Sequence, residues 1–208
     1  MYVHSKENQS KLSPETAFKY LQEGNARFVQ NLRANRNLLQ QVNETRDGQF
    51  PFATILSCMD SRTSAELIFD QGLGDIFSIR VAGNVLNEDI LGSMEFATKV
   101  VNTKIIVVLG HTKCGAIVGA CNDVKLGNLT QLLDKVKPAI EHETTTQTDR
   151  HGKNPEFVKN VTEINVHLTI QKIKEESPII AELVQDGQIK IVGGLYDVDN
   201  GKVDFFEE

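Results

Sequence analysis

Two cysteines and one histidine stand where this sequence could hold a metal ion: Cys58, His111 and Cys114. Cys58 closes an apolar run at residues 52–56, and His111-Thr112-Lys113-Cys114 follows the run KIIVVLG. Thiolate sulfur and imidazole nitrogen are good zinc donors. Three protein ligands leave a fourth position open, as catalytic zinc sites do. Asp60 and Arg62 follow Cys58 closely. An arginine–carboxylate pair is planar and can be bidentate, which fixes the carboxylate and holds it ionised. Such a carboxylate can accept a proton from metal-bound water or bind the metal itself. Each group also has an ordinary reading. Free cysteines are often small buried core residues, and Asp60 with Arg62 could be a salt bridge in a turn before a helix. Spacing alone leaves both readings standing.

The elements around these residues favour a shared site. Residues 52–56, 76–82, 104–109 and 189–196 read as strands, the third a β-branched run of the kind buried on both faces of a parallel sheet. Helical spacing recurs over residues 89–101, 115–120, 128–142 and 157–173, and Ser177-Pro178 opens a short helix through 184. Asn200-Gly201 signals a hairpin into a last edge strand at 203–206. Alternating strands and helices predict an α/β fold with a mainly parallel central sheet. In such sheets ligands gather beyond the carboxyl ends of the strands, where Cys58 and His111 both fall. Near the start, Ser13-Pro14-Glu15 predicts a helix carrying Ala17, Phe18, Leu21 and Phe28, with Gly24 a candidate break. Residues 30–48 read as an exposed arm or loop, and residues 143–155 as a polar loop with a solvated Thr144–Thr146 run.

Composition excludes several classes. A net charge of −6 argues against broad binding to nucleic acid or anionic membranes. No apolar run reaches the roughly 18–20 residues of a membrane span. The polar start has no apolar signal segment, so a cytoplasmic location is expected. Three cysteines do not suggest a disulfide framework, and Cys121 reads as a buried helix residue. His4, His142, His151 and His167 have no motif around them and read as surface residues.

The residues resemble a known family. Cys58-Met59-Asp60-Ser61-Arg62 matches the C-x-D-S-R motif of β-class carbonic anhydrases, and His111-Thr112-Lys113-Cys114-Gly115 matches their H-x-x-C-G motif. Arg80-Val81-Ala82-Gly83-Asn84 resembles the segment between the two. The resemblance is close over roughly residues 49–120 and extends loosely to the last strand. It implies one Zn(2+) per chain on Cys58, His111 and Cys114. Asp60 and Arg62 become a dyad beside the metal, with Asp60 able to serve as fourth ligand in a closed state. Gln49, Phe77 and Gly115 take substrate-cavity positions, and Phe96 stands in place of a cavity tyrosine. Arg80 and Tyr196 match two residues of an inhibitory bicarbonate pocket. Its tryptophan is replaced by Ile55 in a chain without Trp, so the pocket lacks one of its three residues.

The implied activity is zinc-dependent reversible hydration of carbon dioxide to bicarbonate and a proton. A hydrolase of another small substrate, such as carbon disulfide, and a non-catalytic zinc module are the competing readings. The family implies a homodimer or tetramer. Residues 1–48 then form an N-terminal helical arm that embraces the partner through Phe18, Leu21 and Phe28, and residues 49–208 form the zinc-binding catalytic domain.

Overall fold

The computed structural model describes residues 5–206; His4 lies outside them. Five strands form one sheet: β1 (Ala53–Ser57), β2 (Ile76–Arg80), β3 (Ile105–His111), β4 (Lys190–Tyr196) and β5 (Val203–Phe206). Their order is β2-β1-β3-β4-β5. The first four are parallel and β5 returns antiparallel along β4, so the expected parallel sheet with a C-terminal edge hairpin is present. β1 and β3 are buried along their whole length, which is why they read as continuous apolar runs.

Ten α-helices accompany the sheet among the described residues. They are α1 (Lys6–Lys11), α2 (Pro14–Val29), α3 (Leu38–Thr45), α4 (Ala65–Ile68), α5 (Glu88–Glu95), α6 (Gly115–Cys121), α7 (Gly127–Asp134), α8 (Lys137–His142), α9 (Pro155–Glu176) and α10 (Pro178–Gln185). Against one face of the sheet, Ala17 and Leu21 of α2 and Ile68 of α4 pack on Ile55, Val107 and Val192. Against the other, Ile90 and Met94 of α5, Ile170 of α9 and Ile180 of α10 pack on Leu56, Ile106 and Val108. A third cluster closes over Cys58 and Cys114 with Ile117, Leu133, Val136 and Phe157. The helix expected at 128–142 is two, because Pro138 cannot donate to a continuous ladder and instead opens α8.

The start of the chain departs from expectation. Leu21 is buried in this chain's own core, Phe18 stands edge-on to Phe205 at 4.9 Å, and Phe28 packs beneath Gly201. Within the single chain, Leu21 is thus spent in its own core, while Phe18 and Phe28 pack against their own domain and stay half-buried. Gly24 does not break α2. It lets the helix touch the carbonyl of Phe69, where a Cβ would come within 1.8 Å of the oxygen. Residues 30–37 are also held down. The fully buried Asp70 carboxylate accepts from Arg27 Nε (2.6 Å), Arg36 Nη1 (2.5 Å) and Ala34 N (3.1 Å). Burial opposes the charge on Asp70, but the two guanidiniums outweigh it and keep the carboxyl below its usual range. The segment read as loop then forms α3, capped by Asn37 and tethered by Gln41 to Leu73 N. It presents Leu38, Leu39 and Val42 outward, at 56%, 77% and 49% exposure.

The loop at 143–155 is likewise organised. Glu143 is buried and accepts from Thr145, from Thr146 N and Oγ1, and from Asn160, while Arg150 closes an ion pair over Phe157. The threonines are anchors for a buried acid, which a polar run does not disclose.

Candidate metal centre

The strand order explains where chemistry can occur. The connection from β1 runs to one side to β2, and the chain then crosses back to β3 on the other side of β1. Beyond the carboxyl ends of β1 and β3 this leaves a crevice of the type in which open α/β sheets bind ligands. Ser57 pairs with Leu109, so Cys58 emerges beside the end of β3 and His111.

The side chains converge there. One donor atom from each of Cys58, His111 and Cys114 lies within 4.8 Å of the others, and all three residues are buried. The two sulfurs are 3.9 Å apart. Two thiolates on a tetrahedral zinc, each bonded at about 2.3 Å, would stand about 3.8 Å apart. His111 Nδ1 lies 2.9 Å from the carbonyl of Thr112. A carbonyl only accepts, so Nδ1 carries the hydrogen. Nε2 is buried without a hydrogen-bond partner, a lone pair left for a metal.

The sulfurs are prepared as ligands. The Cys58 thiolate is favoured first by the Cys114 thiol, against burial, and then by the N–H groups of Gly83 and Asp60, each 3.4 Å from its sulfur. Cys114 shares that proton and is pushed up by Cys58 and by burial, although the N–H groups of Ala116 and Ile117 at the start of α6 oppose the shift. The donor set fits zinc, which would take the place of the shared proton.

The turn after Cys58 is held from several sides. Thr63 Oγ1 donates to the carbonyls of Cys58 (2.8 Å) and Asp60 (2.9 Å). Arg80 Nε and Nη2 donate to the same two carbonyls at 3.2 and 2.5 Å. Gly83, at φ +69°, aims its N–H at Cys58, and buried Asn165 secures its carbonyl at 3.0 Å. Thr63 and Asn165 carried no signal in the sequence, because neither belongs to a recognisable motif. Asp60 turns to Arg62, which grips both carboxylate oxygens. That pairing, with the backbone N–H of Arg62, holds the Asp60 carboxyl far below the usual carboxylate range despite burial.

Residues 53–203 match the carbonic anhydrase family. Carbonic anhydrase 2 of Mycobacterium tuberculosis is 38% identical over 198 residues, covering 91% of each chain. This chain belongs to the β-carbonic anhydrase family. It is accordingly an enzyme of the carbonic anhydrase type. A carbonic anhydrase of Mycolicibacterium smegmatis is 34% identical over 92% of this chain and 93% of its own. A solved β-carbonic anhydrase of Aspergillus fumigatus superposes with a TM-score of 0.73 at 25% identity, covering 93% of this chain and 90% of that one.

Within one chain of this β-carbonic anhydrase, the remaining positions named from the sequence do not all meet the metal cluster. Gly115 adjoins Cys114 and faces open space, since a Cβ there would meet nothing within 4 Å. Phe77 pairs in register with Thr54, four positions before Cys58, or about 13 Å along a strand at ~3.3 Å per residue. It lies against Phe96 with ring centroids 6.4 Å apart. Gln49 precedes β1, at the opposite end of that strand. Arg80 is committed to the Cys58 turn, and Tyr196 ends β4 beside His111. Cys121, His142, His151 and His167 stay outside the cluster. No helix among the described residues is long and apolar enough to cross a membrane.

Proposed function

We propose that this chain catalyses zinc-dependent, reversible hydration of carbon dioxide to bicarbonate and a proton, with one zinc per chain held by Cys58, His111 and Cys114. The observation that carries the reading is a buried, unspent His111 Nε2 beside two sulfurs 3.9 Å apart. Zinc, when bound, supplies a Lewis acid that acidifies water near neutral pH.

The chain's own groups do the rest. Arg62 occupies three of the about four lone-pair sites of the Asp60 carboxylate, through its Nε, Nη2 and backbone N–H. The site left on Oδ2 can only accept, because the carboxyl stays ionised. Asp60 therefore orients whichever reactant oxygen bears hydrogen, water in one direction and the hydroxyl of bicarbonate in the other. The apolar cluster of Ile117, Val136 and Phe157 limits access of bulk water behind the sulfurs. We assign Gln49, Phe77 and Phe96 to the cavity of a neighbouring subunit in a homodimer or tetramer. Phe96 is 50% exposed, and the outward face of α3 is apolar, which supports such an assembly. The similar Sordaria macrospora enzymes are tetrameric.

Stopped-flow hydration of carbon dioxide tests the reading. The zinc-loaded protein should turn over, and protein stripped by a chelator should not until zinc returns. Turnover that survives complete stripping would overturn it. Carbon disulfide offered to the same preparation separates the competing substrate.

A further inference from the structure

We propose that Thr112 is a positioning residue for the metal centre, held in its working orientation by Asp197 of the β4–β5 hairpin. The inference rests on zinc binding at Cys58, His111 and Cys114. β3 and β4 stay paired as far as His111 and Tyr196, and Thr112 is the first residue past that pair. Its N–H still donates to the Tyr196 carbonyl at 2.9 Å. Its hydroxyl works in both directions, accepting from Val198 N at 3.0 Å and donating to Asp197 Oδ1 at 3.3 Å.

Asp197 is a firm anchor. Its Oδ1 also accepts from Asp199 N (2.9 Å) and its Oδ2 from Asn200 Nδ2 (2.6 Å). Its backbone closes the hairpin loop in both directions, with Lys202 O and with Gly201 N, each at 2.8 Å. Thr112 is thus fixed through its N–H and through both roles of its hydroxyl. The one polar atom that remains, the carbonyl oxygen, is aimed at His111 Nδ1.

That last contact sets two properties of the ligand. It places the hydrogen on Nδ1, leaving the Nε2 lone pair for the metal, and it fixes the plane of the ring. Loss of the hydroxyl frees the Thr112 peptide to rotate, and the imidazole loses tautomer and direction together. The nearby Lys113–Asp199 pair, at 2.5 Å, adds little because both side chains are mostly exposed.

Thr112→Val removes the hydroxyl while keeping the branched shape, Asp197→Ala removes its anchor, and Thr112→Ser restores the hydroxyl. Zinc affinity is read by competition with a chromogenic chelator, and ligand geometry by the visible absorption of the cobalt(II)-substituted protein. Thr112→Val should weaken zinc about 10–100-fold, as loss of an outer partner to a ligating histidine does, and should shift the cobalt bands. Asp197→Ala should do the same. The double variant should be no worse than either single one, because both break one chain of contacts. Thr112→Ser should recover affinity and spectrum. Should Thr112→Val fail to fold, Asp197→Ala and Thr112→Ser carry the test. Neither readout depends on carbon dioxide turnover, so a wrong substrate leaves this test intact. Wild-type affinity and spectrum in Thr112→Val or Asp197→Ala, or no recovery in Thr112→Ser, would overturn the proposal.

Discussion

Arg62 holds Asp60 fork to fork: Nε donates to Oδ1 at 2.9 Å and Nη2 to Oδ2 at 2.8 Å. The pair fixes the plane of the carboxylate and turns it toward the arginine. It also keeps the group charged throughout the neutral range, since its pKa is depressed. A depressed carboxyl contributes stability that is complete above its unfolded value and is lost only as pH falls through the folded one. Asp60 therefore does not titrate between pH 6 and 9.

Arg62→Ala should lower carbon dioxide hydration by about 100-fold, the scale of a lost positioning contact, with zinc content unchanged. The unpaired Asp60 would return toward an ordinary pKa of about 4 and stay ionised. The loss should accordingly be similar at pH 6.5 and pH 9. Full activity in the variant would exclude the dyad, and recovery confined to high pH would point to Asp60 competing for the metal.

The metal centre makes a separate prediction about cysteines. Cys58→Ala and Cys114→Ala should each lose most of the bound zinc, because two remaining donors cannot complete the set. Cys121→Ala should retain one zinc per chain. Its thiol lies outside the cluster, and burial pushes it up to about 11. Elemental analysis decides the matter, and full zinc in either ligand variant would rule out the assignment.

Assembly should depend on α3. Leu39, 77% exposed, and Leu38 stand on a helix whose polar side is tethered through Gln41. Leu38→Asp with Leu39→Asp should raise the subunit dissociation constant about 100-fold or more, since burying each leucine contributes about 1.5–3 kcal/mol. Light scattering across a dilution series reads this. An unchanged assembly would move the interface elsewhere. Deleting residues 1–48, by contrast, should unfold the chain, because Leu21 and Ala17 belong to its own core.

Acid stability should involve Glu143. Burial would raise its pKa, but hydrogen bonds from Thr145, Thr146 and Asn160 hold it down to about 2. The sign follows from the depression: its contribution is full above the unfolded value of about 4.3 and disappears as pH falls toward 2. Glu143→Gln should destabilise the protein at pH 7 by about 2 kcal/mol, the scale of a lost charge-assisted contact. The difference from the parent should shrink below pH 4. Thermal unfolding at pH 7 and pH 3 measures both, and an equal gap at the two pH values would contradict the network.

Much of the candidate site was legible because it is written in short covalent neighbourhoods. The C-x-D-S-R and H-x-x-C-G segments carry donors and dyad within a few residues, and the apolar runs of β1 and β3 declare buried parallel strands. Asn200-Gly201 likewise announced the final hairpin. What the tertiary structure decided lies in contacts between distant residues, which leave no local pattern. The adjacency of β1 and β3, which brings Cys58 beside His111, depends on strand order. The grip of Asp70 on Arg27 and Arg36, and the anchoring of Thr112 by Asp197, join side chains far apart in the chain. α3 and the Glu143 loop were hidden because their order comes from buried polar atoms, and a polar run looks the same whether water or protein satisfies it.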